Sequence, residues 1–304
     1  MTTSTTTAPL GRPNPAAQEE GSAREVLVGV EGSEVGLAAV RWAAHEAVRR
    51  NAPLRIVHAA PYLGHRRRSS GAPPPEMHRA RRIIAQAYTV ARHTEGGLRA
   101  ATEVVPGDPT ATLLRAAAAG QLVVLGSSST GAPDELVLAS VALRVAARSP
   151  QPVVVVPRRP HEPGDHPTAA VLGVGDREDD EAVATFAAEA AERSADPGLT
   201  VLQTRPSRRS VPDSWVDDLD EWQRRYPRLS VSRSELHGAR ADQLLSATCP
   251  ATLLVISAGS GGLLHRKLDG PHRYLMRHCT SPMALIPPVH RPGGDSREEV
   301  VAPG

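Results

Sequence analysis

The chain has 304 residues, a formal net charge of +2 at pH 7, 40% hydrophobic residues and only 3% aromatic residues. This length accommodates two domains of ordinary size with aliphatic cores, and a nearly neutral chain gives no reason to expect nucleic-acid binding. No apolar run approaches the roughly 18 residues that a membrane span requires. We therefore expect a cytoplasmic protein with no membrane partner.

The N-terminal residues and the cysteines support the same expectation. Residues 1–23 are polar, contain proline and lack the apolar segment of a secretory signal, which predicts a disordered tail. Cys249 and Cys279 stand far apart and form no CxxC pair, a pattern typical of a reducing compartment.

From residue 26 onward, short apolar runs alternate with segments of helical periodicity. Apolar runs such as VLVGV and LVVLG are typical of strands buried on both faces. The predicted strands are 26–30, 53–59, 101–105, 122–126 and 152–157, and the predicted helices are 34–50, 76–94, 110–119 and 135–148. Strands that alternate with helices predict a doubly wound α/β fold, in which helices cover both faces of a parallel sheet.

The second half of the chain repeats this pattern. PVVVVP at 152–157 matches PMALIP at 282–287, LVVLG matches LLVIS, and VLVGV matches AVLGV. The Pro-rich, charged segment 158–167 is typical of an inter-domain linker. We predict two tandem domains at 24–157 and 168–288, followed by a disordered tail at 289–304.

The segment VLVGVEGSEVGLAAVRWAAHEAVRRNAPLRIVHA, residues 26–59, resembles the opening of a universal stress protein domain. The turn at Gly107, the PVVVVP ending, and the Gly-containing loop that runs into a serine before the last helix of the first half all agree with it. The resemblance covers both halves, more weakly in the second. It implies two five-stranded parallel sheets that pair through their last strands as a pseudo-dimer, and the edge strands could also pair two chains as a homodimer.

In this family the loops after the first and fourth strands meet around a nucleotide, and the phosphate motif is Gly, two residues, Gly, nine residues, Gly, then Ser or Thr. Glycine is needed because backbone N–H groups must approach the phosphate oxygens closely. The chain keeps Gly126, Gly131 and Ser140 but has Ser129 and Ala139 at the other two glycine positions. If position 129 requires a left-handed backbone, its side chain costs about 1–2 kcal/mol, which is roughly a tenfold to thirtyfold loss of affinity.

Glu31 stands where the family usually has an aspartate close to the nucleotide and its metal ion. His58 ends the second strand, where the family lines the adenine side; a histidine satisfied within the fold is an equal alternative. The resemblance implies two subclasses, one that binds ATP and one that does not, and ATP with magnesium is the candidate ligand of the first domain if it belongs to the former. The candidate binding residues are Gly29, Glu31, Gly32, Ser33, His58, Leu125, Gly126, Ser129, Gly131, Ala139, Ser140 and Val141.

The second domain departs further from the motif. Gly175 takes the acidic position, Ile256 replaces the first glycine, and Asp269-Gly270 replaces Gly-Ser. An aspartate that faces phosphate repels it, so we expect no ATP binding in this domain.

Three functional hypotheses follow. The first is a non-enzymatic stress-response protein with weak or vestigial binding of adenine nucleotide in the first domain. The second is a nucleotide-free scaffold for a protein partner. The helical spacing of Trp215 and Trp222 favours packing in the core, but they are candidate partner contacts if they are exposed. The third is an ATP-hydrolysing enzyme, but the chain has no Walker lysine and no GxSxG, so no catalytic residue can be named.

Overall fold

The computed structural model describes residues 24–63, 75–127, 141–158, 168–172, 177–205, 224–237, 241–248, 251–258, 274–275 and 278–289. The strands of the first half are β1 (Val26–Gly29), β2 (Leu54–Ala60), β3 (Ala100–Pro106), β4 (Leu122–Gly126) and β5 (Val153–Val156). Its helices are α1 (Glu34–Arg49), α2 (Pro75–Thr94), α3 (Pro109–Ala117) and α4, whose described part is 141–146. These bounds agree with the sequence prediction to within two residues wherever both ends are described.

The second half repeats the arrangement. Its strands are β6 (Thr168–Leu172), β7 (Gly198–Arg205), β8 (Ser230–His237), β9 (Leu254–Ser257) and β10 (Met283–Ile286). Helix α5 (Arg177–Glu192) and helix α6 (Ala241–Thr248) are its long described helices. The predicted linker beyond Arg158, the two predicted tails beyond Val289 and before Arg24, and both Trp215 and Trp222 lie outside the described residues.

All ten described strands form one sheet, in the order β3-β2-β1-β4-β5-β10-β9-β6-β7-β8. Strand pairs within each half are parallel. The halves meet where β5 and β10 run antiparallel, with Val154 opposite Ala284. The last strands of the two halves therefore pair as the family resemblance implies, and the fold is a doubly wound pseudo-dimer.

Two apolar cores cover the two faces of this sheet. Because side chains alternate along a strand, Val26 and Val28 join the core beneath α1, α2 and α5, while Leu27 joins the core beneath α3 and α4. Burial on both faces explains why the inner strands are continuously apolar. None of the described helices is both long and apolar enough to cross a membrane.

Two turns at the carboxyl edge of the sheet set the starts of helices. Gly32 has φ +97° and precedes Ser33, whose hydroxyl caps α1 by accepting the N–H of Gly36 at 3.1 Å. Gly107 has φ +131° and precedes Asp108, whose carboxylate caps α3 by accepting the N–H of Ala111 at 2.9 Å. Glycine is favoured at both turns because other residues rarely adopt these φ values.

Candidate functional site

A cavity of about 110 Å³ opens at the carboxyl ends of β1 and β4. These neighbouring strands mark the point where strand order reverses, and open α/β sheets bind ligands at such points. The walls are mainly apolar and come from β1, β2, β4, α3 and α4: Gly29, Val30, Glu31, Val57, Ala59, Pro109, Leu113, Leu125, Gly126, Val141 and Ala142. Pockets that enclose a drug-sized ligand have roughly 300–1,000 Å³, so the described cavity has room for part of a nucleotide.

Glu31, half-buried, is the acidic side chain of this cavity, and it is engaged by the start of α1. The hydroxyl of Ser33 donates a short hydrogen bond to Oε1 of Glu31. A Cβ built on Gly36 would come within 2.7 Å of Oε2 of Glu31, so the carboxylate lies directly against the first turn of the helix. Burial raises the pKa of Glu31, opposed by its hydrogen bonds from Ser33 and from backbone N–H groups. The carboxylate thus occupies the position at a helix N-terminus where a bound anion would lie.

Helix α3 begins at the same cavity, since Pro109 and Leu113 line it. Its N-terminal N–H of Ala111 is bonded to the carboxylate of Asp108. The N-termini of α1 and α3, which adjoin the cavity, are therefore capped by Ser33 and Asp108. A carboxylate lies at each of them, Glu31 at α1 and Asp108 at α3, and repels phosphate.

One glycine of the cavity is required by packing. A Cβ on Gly126 would lie 2.9 Å from the backbone carbon and oxygen of Val35, at the start of α1, so this position needs glycine for the fold itself, independently of any ligand. A Cβ on Gly29 would lie 2.6 Å from Cδ2 of Leu125 and 2.9 Å from Cδ2 of Leu113, the ends of side chains that can shift.

His58 lies on the other face of the sheet from the cavity. Its neighbours in β2, Val57 and Ala59, line the cavity, and alternate residues of a strand point to opposite faces. His58 is only 4% exposed, and its Nδ1 is 2.8 Å from the carbonyl oxygen of Val30, to which it donates as the Nδ1–H tautomer. Burial, with the charge of Arg79, lowers the pKa of His58. The histidine therefore ties the ends of β1 and β2 together.

The structure thus divides the sequence-predicted site residues into four groups. Five line the cavity: Gly29, Glu31, Leu125, Gly126 and Val141. Gly32 and Ser33 form the adjoining turn, and His58 faces away. Ser129, Gly131, Ala139 and Ser140 lie outside the described residues, as do Gly175 and Asp269-Gly270 of the second half.

Six further residues line the cavity and were not predicted from the sequence: Val30, Val57, Ala59, Pro109, Leu113 and Ala142. Pro109 could have been predicted, because it follows the Gly107-Asp108 turn at the carboxyl end of a predicted strand. Leu113 could not, since its position in the cavity wall depends on how α3 packs across the sheet. No group of three metal-ligating side chains occurs within the described part of the chain.

Comparison with known proteins agrees with the fold. A model described as the universal stress protein family matches residues 23–157. A universal stress protein of Mycobacterium tuberculosis is 26% identical over 277 residues, covering 86% of this chain and 95% of that protein. Residues 23–157 form a domain of the universal stress protein family.

The likeness to proteins of this family extends over both halves of the chain. A second universal stress protein, from Mycolicibacterium smegmatis, is 28% identical over 292 residues and covers 86% of this chain and 97% of its own length. The crystal structure of a universal stress protein from Archaeoglobus fulgidus has a TM-score of 0.66 at 13% identity, over 88% of this chain and 97% of that one. The two-domain fold is therefore shared with full-length relatives.

Proposed function

We propose that this is a non-enzymatic stress-response protein whose first domain binds adenine nucleotide weakly and holds the phosphate groups poorly. The carrying observation is that a carboxylate lies at the N-terminus of each of the two helices beside the cavity: Glu31 accepts from Ser33, the cap of α1, and Asp108 itself caps α3. Such N-termini are where helices hold phosphate. With a carboxylate already there, a phosphate meets repulsion instead of free N–H donors.

The apolar part of the cavity suits an uncharged ring. Val57, Leu113, Leu125 and Val141 would contact the base of a nucleotide, and Glu31 would approach the ribose or magnesium. To do so Glu31 would have to exchange its hydrogen bond from Ser33 for the ligand. Gly131, Ser129 and Ser140 would be left as the phosphate-binding residues, without the two motif glycines.

Calorimetric titration of the full chain with adenosine, ATP and ATP with magnesium tests this proposal. We expect adenosine and ATP to bind with similar, weak affinity, because the triphosphate adds little. Binding of ATP about thirtyfold or more tighter than that of adenosine, which is roughly 2 kcal/mol, would contradict the proposal. If neither ligand binds, the nucleotide-free scaffold is the better account. Phosphate release from ATP should remain at the level of buffer.

A further inference from the structure

A second depression crosses the seam between the two halves, on the sheet face opposite the cavity described above. It has a volume of about 500 Å³, within the range of roughly 300–1,000 Å³ that is typical of small-molecule sites. We call this depression the seam groove. It is lined by Pro152, Glu181, Ala182, Thr185, Phe186, Glu189, Ile286 and Val289. Pro152 comes from the first half and the others from the second.

The floor of the seam groove is apolar and held from both halves. Phe186 of α5 is partly buried, and the guanidinium carbon of Arg50, at the end of α1, lies 5.3 Å from the centre of its ring. Val289 is 48% exposed at one side, and its N–H donates to Oδ1 of Asp179 at 3.0 Å. A partly exposed apolar surface therefore has a fixed position between α5 and the end of β10.

Two carboxylates stand at the ends of this apolar floor. Glu181 and Glu189 are eight residues apart on α5, with Thr185 midway, so they lie on one face of the helix about 12 Å apart along its axis. Both are exposed. Glu189 makes a long contact with Arg193, 3.9 Å between Oε2 and Nη1, and its side chain is 47% exposed. Both ends of the groove thus carry negative charge that faces solvent.

We propose that the seam groove binds an aliphatic diamine or polyamine, with one ammonium group at Glu181, another at Glu189, and the methylene chain lying over Ala182 and Phe186. The two solvent-facing carboxylates support this class of ligand, and the positive charge of Arg50 beside Phe186 is paired with Glu46 at 2.6 Å. Two carboxylates disfavour an anion. A single metal ion cannot bridge them, because carboxylate oxygens bind calcium at roughly 2.3–2.6 Å.

Three amines separate the contributions of length, charge and apolar surface. Octane-1,8-diamine reaches about the distance between the carboxylates, butane-1,4-diamine has the same charge but is too short, and octylamine has the same chain but one charge. At constant ionic strength, we expect calorimetry on the wild-type chain to show octane-1,8-diamine binding tightest. Equal binding of the two diamines would overturn the proposal, as would equal binding of octylamine.

Single variants then locate the site. Glu181→Gln and Glu189→Gln should each weaken octane-1,8-diamine about twofold to fivefold, the range of one exposed ion pair. Glu192→Gln is the matched control, since Glu192 ends the same helix but does not line the groove. All three changes are conservative, and circular dichroism checks that each variant folds. A control that weakens binding as much as the groove variants would show non-specific charge attraction and would refute the site. The inference does not depend on the nucleotide proposal.

Discussion

Gly126 at the end of β4 lies against the backbone of Val35 in the first turn of α1, so closely that a Cβ at 126 would be 2.9 Å from the carbon and oxygen of Val35. Backbone cannot move aside as the end of a flexible side chain can. The glycine that the sequence assigns to a phosphate motif is therefore also a packing requirement. Packing alone is therefore enough to explain why Gly126 is present while Ser129 and Ala139 stand at the other glycine positions of the motif.

Gly126→Ala should accordingly destabilise the protein, with or without nucleotide. We expect a loss of about 1–3 kcal/mol in the free energy of unfolding, as for other overpacked sites, measured by urea denaturation. Gly97→Ala is the matched control, because no heavy atom lies within 4 Å of a Cβ built there. It should be neutral or stabilise by less than about 1 kcal/mol. Equal effects of the two changes would argue against the Gly126–Val35 contact.

Glu31→Gln should change the pH dependence of stability. Burial raises the pKa of Glu31 above its ordinary value of 4.5, so the folded chain takes up the proton more readily than the unfolded chain. The free energy of unfolding of the wild type therefore decreases as pH rises from 4.5 through the raised pKa of Glu31. The uncharged glutamine of the variant does not titrate, so the variant does not show this decrease. In melting curves from pH 4 to 8, the melting temperature of the variant should rise relative to that of the wild type as the pH increases.

Glu34→Gln serves as the control for that series, since Glu34 is an exposed residue in the first turn of the same helix. The gain of Glu31→Gln over the wild type with rising pH should exceed that of Glu34→Gln. If the two variants behave alike across the pH range, the carboxylate of Glu31 is not held as the structure shows.

Restoring glycine to the phosphate motif should tighten ATP binding. The double change Ser129→Gly and Ala139→Gly removes two side chains where the family has none. We expect roughly tenfold to thirtyfold tighter binding of ATP, with little change for adenosine, because only the phosphates gain. Ser128→Gly, in the same loop but outside the motif, is the matched control in the same titration. No gain for ATP would mean that the missing glycines do not limit affinity.

His58→Asn should make the fold less sensitive to acid. The lowered pKa of His58 means that the unfolded chain binds the proton more readily, so the wild type loses stability as pH falls below the ordinary value of 6.5. Asparagine does not titrate, and its amide can still donate to the carbonyl of Val30. Urea denaturation at pH 5 and 8 should show a smaller acid loss in the variant. An unchanged loss would assign the acid sensitivity to other groups.

The sequence predicted the fold of the first half well because its inner strands are uniformly apolar. VLVG, LVVLG and VVVV are buried on both faces, and Ser33 and Asp108 supply caps that mark where helices begin. The outer strands β7 and β8 of the second half carry mixed polar residues, so repetition of the pattern was their only signal.

The site was less predictable, for two physical reasons. A motif gives only the spacing of residues along the chain. Whether a residue such as Leu113 lines the cavity depends on how α3 packs across the sheet. A glycine also looks the same in sequence whether it makes room for phosphate or for Val35. The position of His58 could have been inferred, since alternation from Val57 places it on the opposite face of β2.

The most direct test of weak nucleotide binding is to purify the full chain without added nucleotide, denature it, and analyse the released supernatant for adenine nucleotide. The account predicts far less than one nucleotide per chain, because a site that holds phosphate poorly loses its ligand during purification. Stoichiometric ATP in the supernatant would contradict it. That result would mean that the loop with Ser129 and Ala139 holds phosphate tightly despite the carboxylates of Glu31 and Asp108.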